Sequence, residues 1–260
     1  MKSTMKFQKY SGNGNDFVIL DRPSMVLTPE LVRNLCDRHF GVGADGVLLV
    51  SDEAGFDARM QIFNADGGEA EMCGNGLRCL VTYLDQSREK SLPNYRIKTM
   101  NGVYHVAKRN GAFAIEMSEI KDENLYDLTA FNEFNRVFFI NTGVPHLVFL
   151  VNDLKRLDIK SRAPQYRFHK IFPNGTNVSF VQILEGEQSA YVRTYERGVE
   201  NETYSCGTGL TACGLALHSW FNWEGDITLN TLGGTQQVSI GEKIFYSGEV
   251  KFCFAGEYPL

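Results

Sequence analysis

A chain that repeats one unusual turn at half its length is constrained to fold as two related halves. Cys73 opens Cys73-Gly74-Asn75-Gly76, and Cys206 opens Cys206-Gly207-Thr208-Gly209. Each C-G-x-G runs into a helical pattern without proline, Leu77 to Leu84 in one case and Leu210 to Leu217 in the other. Glu69 and Glu71 precede the first turn, Glu200 and Glu202 the second. Cys206 follows Cys73 by 133 residues, close to half of the 260-residue chain. A thiol just ahead of a helix N-terminus feels the positive end of the macrodipole, which favours the thiolate. Two such thiols, one per half, suggest a pair of acid/base groups facing one another across a cleft.

The segments around these turns repeat in order. The first half runs from Lys6 to Tyr10, through a glycine turn, to the apolar strand Phe17 to Leu20. Pro29 to Phe40 reads as a helix, with Thr28 as N-cap and Gly41 as its stop. Strands follow at 47–50 and 58–63, then the helix after Cys73 as far as Lys90, then an alternating meander at 95–99, 103–106 and 112–117. In the second half, strands are expected at 137–140, 146–150, 178–183 and 190–195. The helix after Cys206 then leads to a closing meander over 227–254. The strand-rich ends read as antiparallel, which disfavours a single doubly wound sheet. The expected class is α/β (α+β) with two pseudo-symmetric domains, each a mostly antiparallel curved sheet around a central helix. The halves are set at 1–120 and 121–249, divided where Lys121-Asp122-Glu123-Asn124 and Asn132-Glu133 interrupt the apolar pattern. The last strand, about 250–260, is a candidate to return to the first half.

Composition narrows the class. A net charge of −5 with no basic run argues against nucleic acid as the main partner. The N-terminus leads into polar residues without the apolar stretch of a signal peptide, and no run approaches a transmembrane span. The chain reads as cytoplasmic. Its six cysteines, at 36, 73, 79, 206, 213 and 253, are therefore expected to be reduced. No CxxC or CxxH pair occurs to suggest structural zinc. Cys36, Cys79, Cys213 and Cys253 sit among apolar neighbours and read as small core residues.

The glycines after each reactive cysteine strip side chains from a helix N-terminus, so backbone N–H groups can meet an anion directly. A carboxylate held there would leave the two thiols flanking its α-carbon, one to remove a proton and one to return it on the opposite face. The carbon acid is far weaker than a thiol, so the developing charge needs electrostatic stabilisation. One cysteine must be thiolate while the other is thiol, which couples their titrations. Inert helix caps are the alternative for either turn taken alone. Asn15 and Asn177 occupy matching glycine-rich turns; Asn64 precedes Cys73 by nine residues and Glu196 precedes Cys206 by ten. Asn is common in turns for backbone reasons, so each by itself reads first as structural. Glu196-Arg197 can bind a zwitterion or be a solvated pair. His146 either supports the site or is a satisfied structural residue.

At these residues the chain resembles the diaminopimelate epimerases, cofactor-independent enzymes that interconvert LL- and meso-2,6-diaminopimelate. The resemblance is carried by Gly12-Asn13-Gly14-Asn15-Asp16-Phe17, by Asn64 through Cys79, by Pro173 through Val178, and by Glu196-Arg197-Gly198 through Gly209. It implies two α/β domains closing over substrate, an active site in the cleft between them, and Cys73 and Cys206 as the two bases. The amides at Gly74, Asn75, Gly207 and Thr208 would hold the reacting carboxylate. Asn15 and Glu196 would contact the reacting amino end; Asn64, Asn177 and Arg197 would hold the distal L-centre. No metal or pyridoxal phosphate is implied, and a homodimer is a candidate assembly. The chain departs from the common family pattern at Gly46, where some members have Gln, and at Val144, where many have Asn. The stretch Gly198 to Thr203 is also one residue longer.

Two other readings compete. A proline or hydroxyproline racemase would use the same thiols but needs no polar site for a second amino-acid head, which Asn64, Asn177 and Arg197 together supply. A non-catalytic anion-binding or thiol-redox protein would want a lysine in the turn or a resolving cysteine close by. The turns lack lysine, and Cys79 and Cys213 lie six or seven residues into the helices.

Overall fold

In a computed structural model, the described residues are 4–23, 26–88, 91–117, 120 and 126–260. The expected interruption at Lys121 to Asn124, and Lys90 at the foreseen end of the Cys73 helix, lie outside them. The chain divides into two compact units, Met1–Ile115 with Gly248–Leu260, and Glu116–Ser247.

The first unit opens with β1 (Thr4–Gly12) and β2 (Asn15–Asp21), an antiparallel pair with Gly12 opposite Asn15. Helix α1 (Pro29–Cys36) crosses to β3 (Gly46–Ser51), which runs parallel to β2. Next come β4 (Ala58–Asn64), antiparallel to β3, and the short β5 (Glu69–Ala70). Helix α2 (Gly74–Ser87) leads to β6 (Asn94–Thr99), parallel to β4, and to the antiparallel β7 (Gly102–Arg109) and β8 (Ala112–Glu116).

The second unit repeats this wiring strand for strand. After a 3-10 turn at Leu128–Phe131, β9 (Val137–Asn141) and β10 (Pro145–Leu150) pair antiparallel. Helix α3 (Ile159–Arg167) crosses to β11 (Asn177–Leu184), parallel to β10. Then β12 (Ser189–Glu196), antiparallel to β11, pairs with the short β13 (Asn201–Thr203). Helix α4 (Gly207–Phe221) leads to β14 (Gly225–Thr231), parallel to β12, then to β15 (Gly234–Ile240) and β16 (Phe245–Gly248). The final strand, β17 (Val250–Pro259), pairs antiparallel with β1 in the first unit, from Thr4 opposite Pro259 to Gly12 opposite Val250. The fold is thus a mixed α/β, sheet-dominated two-domain repeat, as the sequence predicts.

Each cysteine turn starts the helix at the centre of its unit. Helix α2 packs against β1, β2, β3, β4 and β17, and α4 against β9 to β12, β14 and β15. Helix α4 is apolar nearly all round, as a helix wrapped by strands must be, whereas α2 buries its first turns and turns the polar Gln86 and Ser87 out at its end. Leu77, Leu80, Val81 and Leu84 are buried on α2, and Leu210, Ala212, Ala216 and Leu217 on α4. Truncating a fully buried leucine such as Leu217 to alanine costs about 2–5 kcal/mol. In the second unit α3 covers an aromatic core. Phe134 stacks on Phe149 at 4.1 Å between centroids, and Phe139 on Phe172 at 5.0 Å.

Three local expectations change. Helix α1 ends at Cys36 rather than Phe40, because the Asp37 carboxylate accepts from the N–H groups of His39 (2.7 Å) and Phe40 (2.8 Å) and turns the chain. Thr28 caps its start, its hydroxyl accepting from Leu31 N at 3.2 Å. Helix α3 is not anticipated, because Pro164 and a run of Lys, Arg and Gln mask it; Asp158 caps it through Ser161 N at 3.3 Å. Cys253 is exposed instead of lying in the core. Phe252 and Phe254 lean on Tyr10 and Phe7, so strand alternation turns the residue between them to the opposite face, away from those rings.

Candidate active site

In the first unit Cys73 is the N-cap of α2, half-buried, with its Sγ 3.5 Å from Gly76 N. That N–H and the helix dipole both favour a thiolate. The thiol also donates to Asn15 Oδ1 at 3.6 Å, which brings the glycine turn between β1 and β2 onto the Cys73 sulfur. Asn75, at the second position of the helix, is buried, and its side-chain carbonyl accepts from Arg78 Nη2 at 2.9 Å. Arg78 is fully buried and its Nη2 donates also to Asn13 Oδ1 at 2.7 Å, tying the glycine turn to the helix start. Asn64 ends β4, exposed, where Asn64 N donates to Gly68 O at 2.8 Å. Gly46 stands opposite it in β3. A Cβ at Gly46 would lie 2.6 Å from Phe63 O, so no side chain fits this backbone there without a shift.

In the second unit Cys206 is the N-cap of α4 and is buried. Its Sγ lies 3.5 Å from Thr208 Oγ1. Burial first, and then the charge of Glu196, push its thiol well up, against the opposing hydroxyl of Thr208 and N–H of Gly209. Glu196, at the end of β12, is itself pushed up by burial, opposed by hydrogen bonds from the Thr203 hydroxyl and the Cys206 thiol. The two acids are hydrogen-bonded to one another, so the titration of each depends on the other. The adjoining β13 supplies Thr203, which the sequence reading did not single out.

His146 in β10 is fully buried, its Nε2 3.0 Å from Thr208 Oγ1. Desolvation, then the positive charge of Arg197, lower its pKa to about 3, so it is a neutral imidazole. Thr142 Oγ1 donates to Thr208 O at 2.9 Å, completing the support of the first turn of α4. A Cβ at Gly207 would lie 2.7 Å from Tyr246 Cε1, so the turn admits no side chain there. Asn177, at the start of β11, is buried with both ends of its amide engaged. Nδ2 donates to Pro145 O at 2.9 Å, and Oδ1 accepts from Arg197 N at 2.8 Å. It thereby fixes the backbone from which Arg197 projects, and the guanidinium donates to Asn174 O at 3.1 Å.

The structure therefore gathers Asn15, Gly74 and Asn75 around Cys73, and Glu196, Thr208 and His146 around Cys206, each within its own unit. Asp45, whose carboxylate accepts from Asn15 Nδ2, and Thr142 come from turns distant in sequence from the cysteines they serve, while Thr203 comes from the short strand just ahead of Cys206. Position in the repeat is the one sequence signal that points to them. Among the described residues no group of three or more His, Cys, Asp or Glu is placed to hold a metal ion.

The family model for diaminopimelate epimerase matches residues 7–122 and 138–253. The chain belongs to the diaminopimelate epimerase family. A diaminopimelate epimerase of Flavobacterium psychrophilum is 35% identical, the match covering 96% of this chain and 98% of the relative. Another, of Methanocella arvoryzae, is 37% identical over 97% and 96%. Among solved structures, a phenazine biosynthesis protein of Bacillus anthracis superposes with a TM-score of 0.74 at 15% identity, over 99% of this chain and all of the other. That likeness concerns the fold alone.

Proposed function

We propose that this protein is a cofactor-independent isomerase that interconverts LL- and meso-2,6-diaminopimelate in the biosynthesis of lysine and cell-wall precursors. Membership of the family over nearly the whole chain carries the reading. Two thiols placed at the starts of two central helices supply its chemistry. Each repeat acts as a domain that contributes one base.

The reaction needs both thiols at one α-carbon. One thiolate takes the Cα proton and becomes a thiol. The electron pair left on carbon delocalises into the carboxylate, and the other thiol gives its proton to the opposite face and becomes a thiolate. Helix geometry leaves the first-turn N–H groups of α2 and α4 without intrahelical acceptors. The amides of Gly74, Asn75, Gly207 and Thr208 are thus suited to the carboxylate, and more so as its charge grows. Glu196 accepts the Cys206 proton when that thiol must become the base, while Thr208 and neutral His146 hold the sulfur in place. Asn15 and Glu196 would meet the reacting amino end. At the distal head we assign Arg197 and Asn64 to contact, with Asn177 holding the Arg197 backbone.

Two finer proposals accompany this reading. No helix among the described residues is long and apolar enough to cross a membrane, which agrees with a cytoplasmic enzyme. A homodimer is supported by the rings of Phe252 and Phe254 on β17, 51% and 46% exposed. Sedimentation equilibrium reads it directly, and a monomer at micromolar concentration would count against it.

The test of the activity is conversion of LL-diaminopimelate by reduced protein without added cofactor, with proline and hydroxyproline in parallel. Formation of the meso isomer is expected. Turnover of a control amino acid alone would move the protein to a sister specificity.

A further inference from the structure

The turn facing Cys73 rests on a four-charge cluster that the reaction as described does not use. Asp16, next to Asn15, accepts from Arg38 through both carboxylate oxygens (2.8 and 3.0 Å) and from Lys9 Nζ at 2.8 Å. Lys9 is buried and also donates to Gly43 O. Asp45, before β3, accepts from Arg38 Nη2 at 2.7 Å. The loops are stitched reciprocally: Asp45 N donates to Asp16 Oδ1 at 2.9 Å and Asp16 N to Asp45 Oδ2 at 3.0 Å. Asp45 Oδ2 accepts one further hydrogen bond, from Asn15 Nδ2 at 2.8 Å.

That last bond decides which end of the Asn15 amide meets the sulfur. An ionised carboxylate only accepts, so the amide end facing Asp45 is the NH2. The carbonyl is left facing Cys73, and it accepts the thiol proton. Two cations against two carboxylates leave the cluster without net charge, so it acts on the sulfur through amide orientation rather than through its field. We propose that Asp45, clamped by Arg38, is a positioning residue for the reaction: it locks the Asn15 carbonyl onto Cys73 and keeps that cysteine in the thiol, proton-donating form at rest. The titratable and charged groups around the turn include Lys9 from β1, Asp16 from β2, Arg38 just past α1, Asp45 from the lead into β3 and the buried Cys36 thiol from the end of α1; Gly76 N–H opposes the carbonyl from α2.

The inference rests on the two-thiol reading, and under it the first abstraction falls to the Cys206–Glu196 pair. Glu196 takes the Cys206 proton, the Cys206 thiolate takes the Cα proton, and Cys73 supplies the proton to the other face. Substituting Asp45→Asn leaves one accepting oxygen where the carboxylate had two. Arg38 and Asn15 then compete for it. The amide of Asn15 is free to turn its NH2 toward the sulfur, which favours the thiolate.

The experiment is alkylation of the folded protein by iodoacetamide across pH, read by mass spectrometry on the tryptic peptide of residues 60–78. That peptide carries Cys73 as its single cysteine. Exposed Cys253 serves as internal control. In Asp45→Asn the Cys73 midpoint falls by about one pH unit, so alkylation well below it is about tenfold faster. Cys253 is unchanged, and Asp45→Glu keeps the wild-type midpoint. Asn15→Asp sets a carboxylate beside the sulfur and raises the midpoint. A folded Asp45→Asn protein with the wild-type midpoint overturns the proposal, as does an equal shift in Asp45→Glu. If Asp45→Asn does not fold by circular dichroism, Asn15→Asp decides, and an unmoved midpoint there overturns it. Failure of the wild type to turn over diaminopimelate would remove the catalytic reading while leaving the alkylation result standing.

Discussion

At the scale of single residues, the second-unit site sets stability against chemistry. Glu196 is held above its ordinary value of 4.5 by burial. Between the unfolded and folded values the native state holds more protons than the unfolded one, so stability falls as pH rises through that window. Glu196→Gln keeps an acceptor for Thr203 and removes the ionisation. It should melt higher than wild type at pH 7 while losing on the order of 10² or more in kcat. A variant that melts lower with its turnover intact would show Glu196 to be structural. His146 has the opposite sign. Its pKa is lowered from 6.5 to about 3, so the stability it contributes is present above 6.5 and is lost as pH falls toward 3. Denaturation midpoints against pH should therefore drop less steeply over that range in His146→Gln than in wild type. Parallel curves for the two proteins would contradict the buried neutral imidazole.

At the scale of elements, both central helices were legible because special residues mark their starts and unbroken apolar runs mark their bodies. Helix α3 shows what local signals miss. Pro164 and charged neighbours conceal it, yet it occupies the place of α1 in the repeat, between the first strand pair and the parallel strand that follows. The helical crossover was readable from topology rather than from propensity. Cys253 shows the converse, since apolar neighbours in sequence did not reveal that β17 is exposed from Lys251 to Ala255. The partners of the site residues were hidden for a third reason. Asp45 with Asn15, Thr203 with Glu196 and Arg78 with Asn13 are pairings made by folding, and no periodicity encodes them. Within α2, Cys79 follows Cys73 but is fully buried, and burial pushes its thiol far up. Cys79→Ala should cost about 1 kcal/mol in chemical denaturation, as a small core truncation does, with kcat within twofold of wild type. Loss of turnover without loss of stability would give that sulfur a chemical role.

At the scale of the whole molecule, the duplicated topology explains why one chain carries two cysteine turns, each opening the central helix at the same place in its unit. The six thiols are all free. Activity should require reductant, because each of the two cysteines must pass through its thiolate during turnover and is then open to oxidation. Full turnover after prolonged air exposure would count against thiol chemistry. Cys73→Ala and Cys206→Ala should each lose about 10² to 10⁴ in turnover while remaining folded, since general acid–base catalysis contributes on that order. The most direct measurement is isotope incorporation at low conversion. LL-diaminopimelate is turned over in D2O, and both the product and the recovered substrate are examined by NMR at the α-carbons. With two bases the new meso product carries solvent deuterium at the inverted centre while recovered LL substrate keeps its proton. Transfer of the substrate's own proton into product, or deuterium entering recovered substrate as fast as product forms, would contradict the two-thiol account.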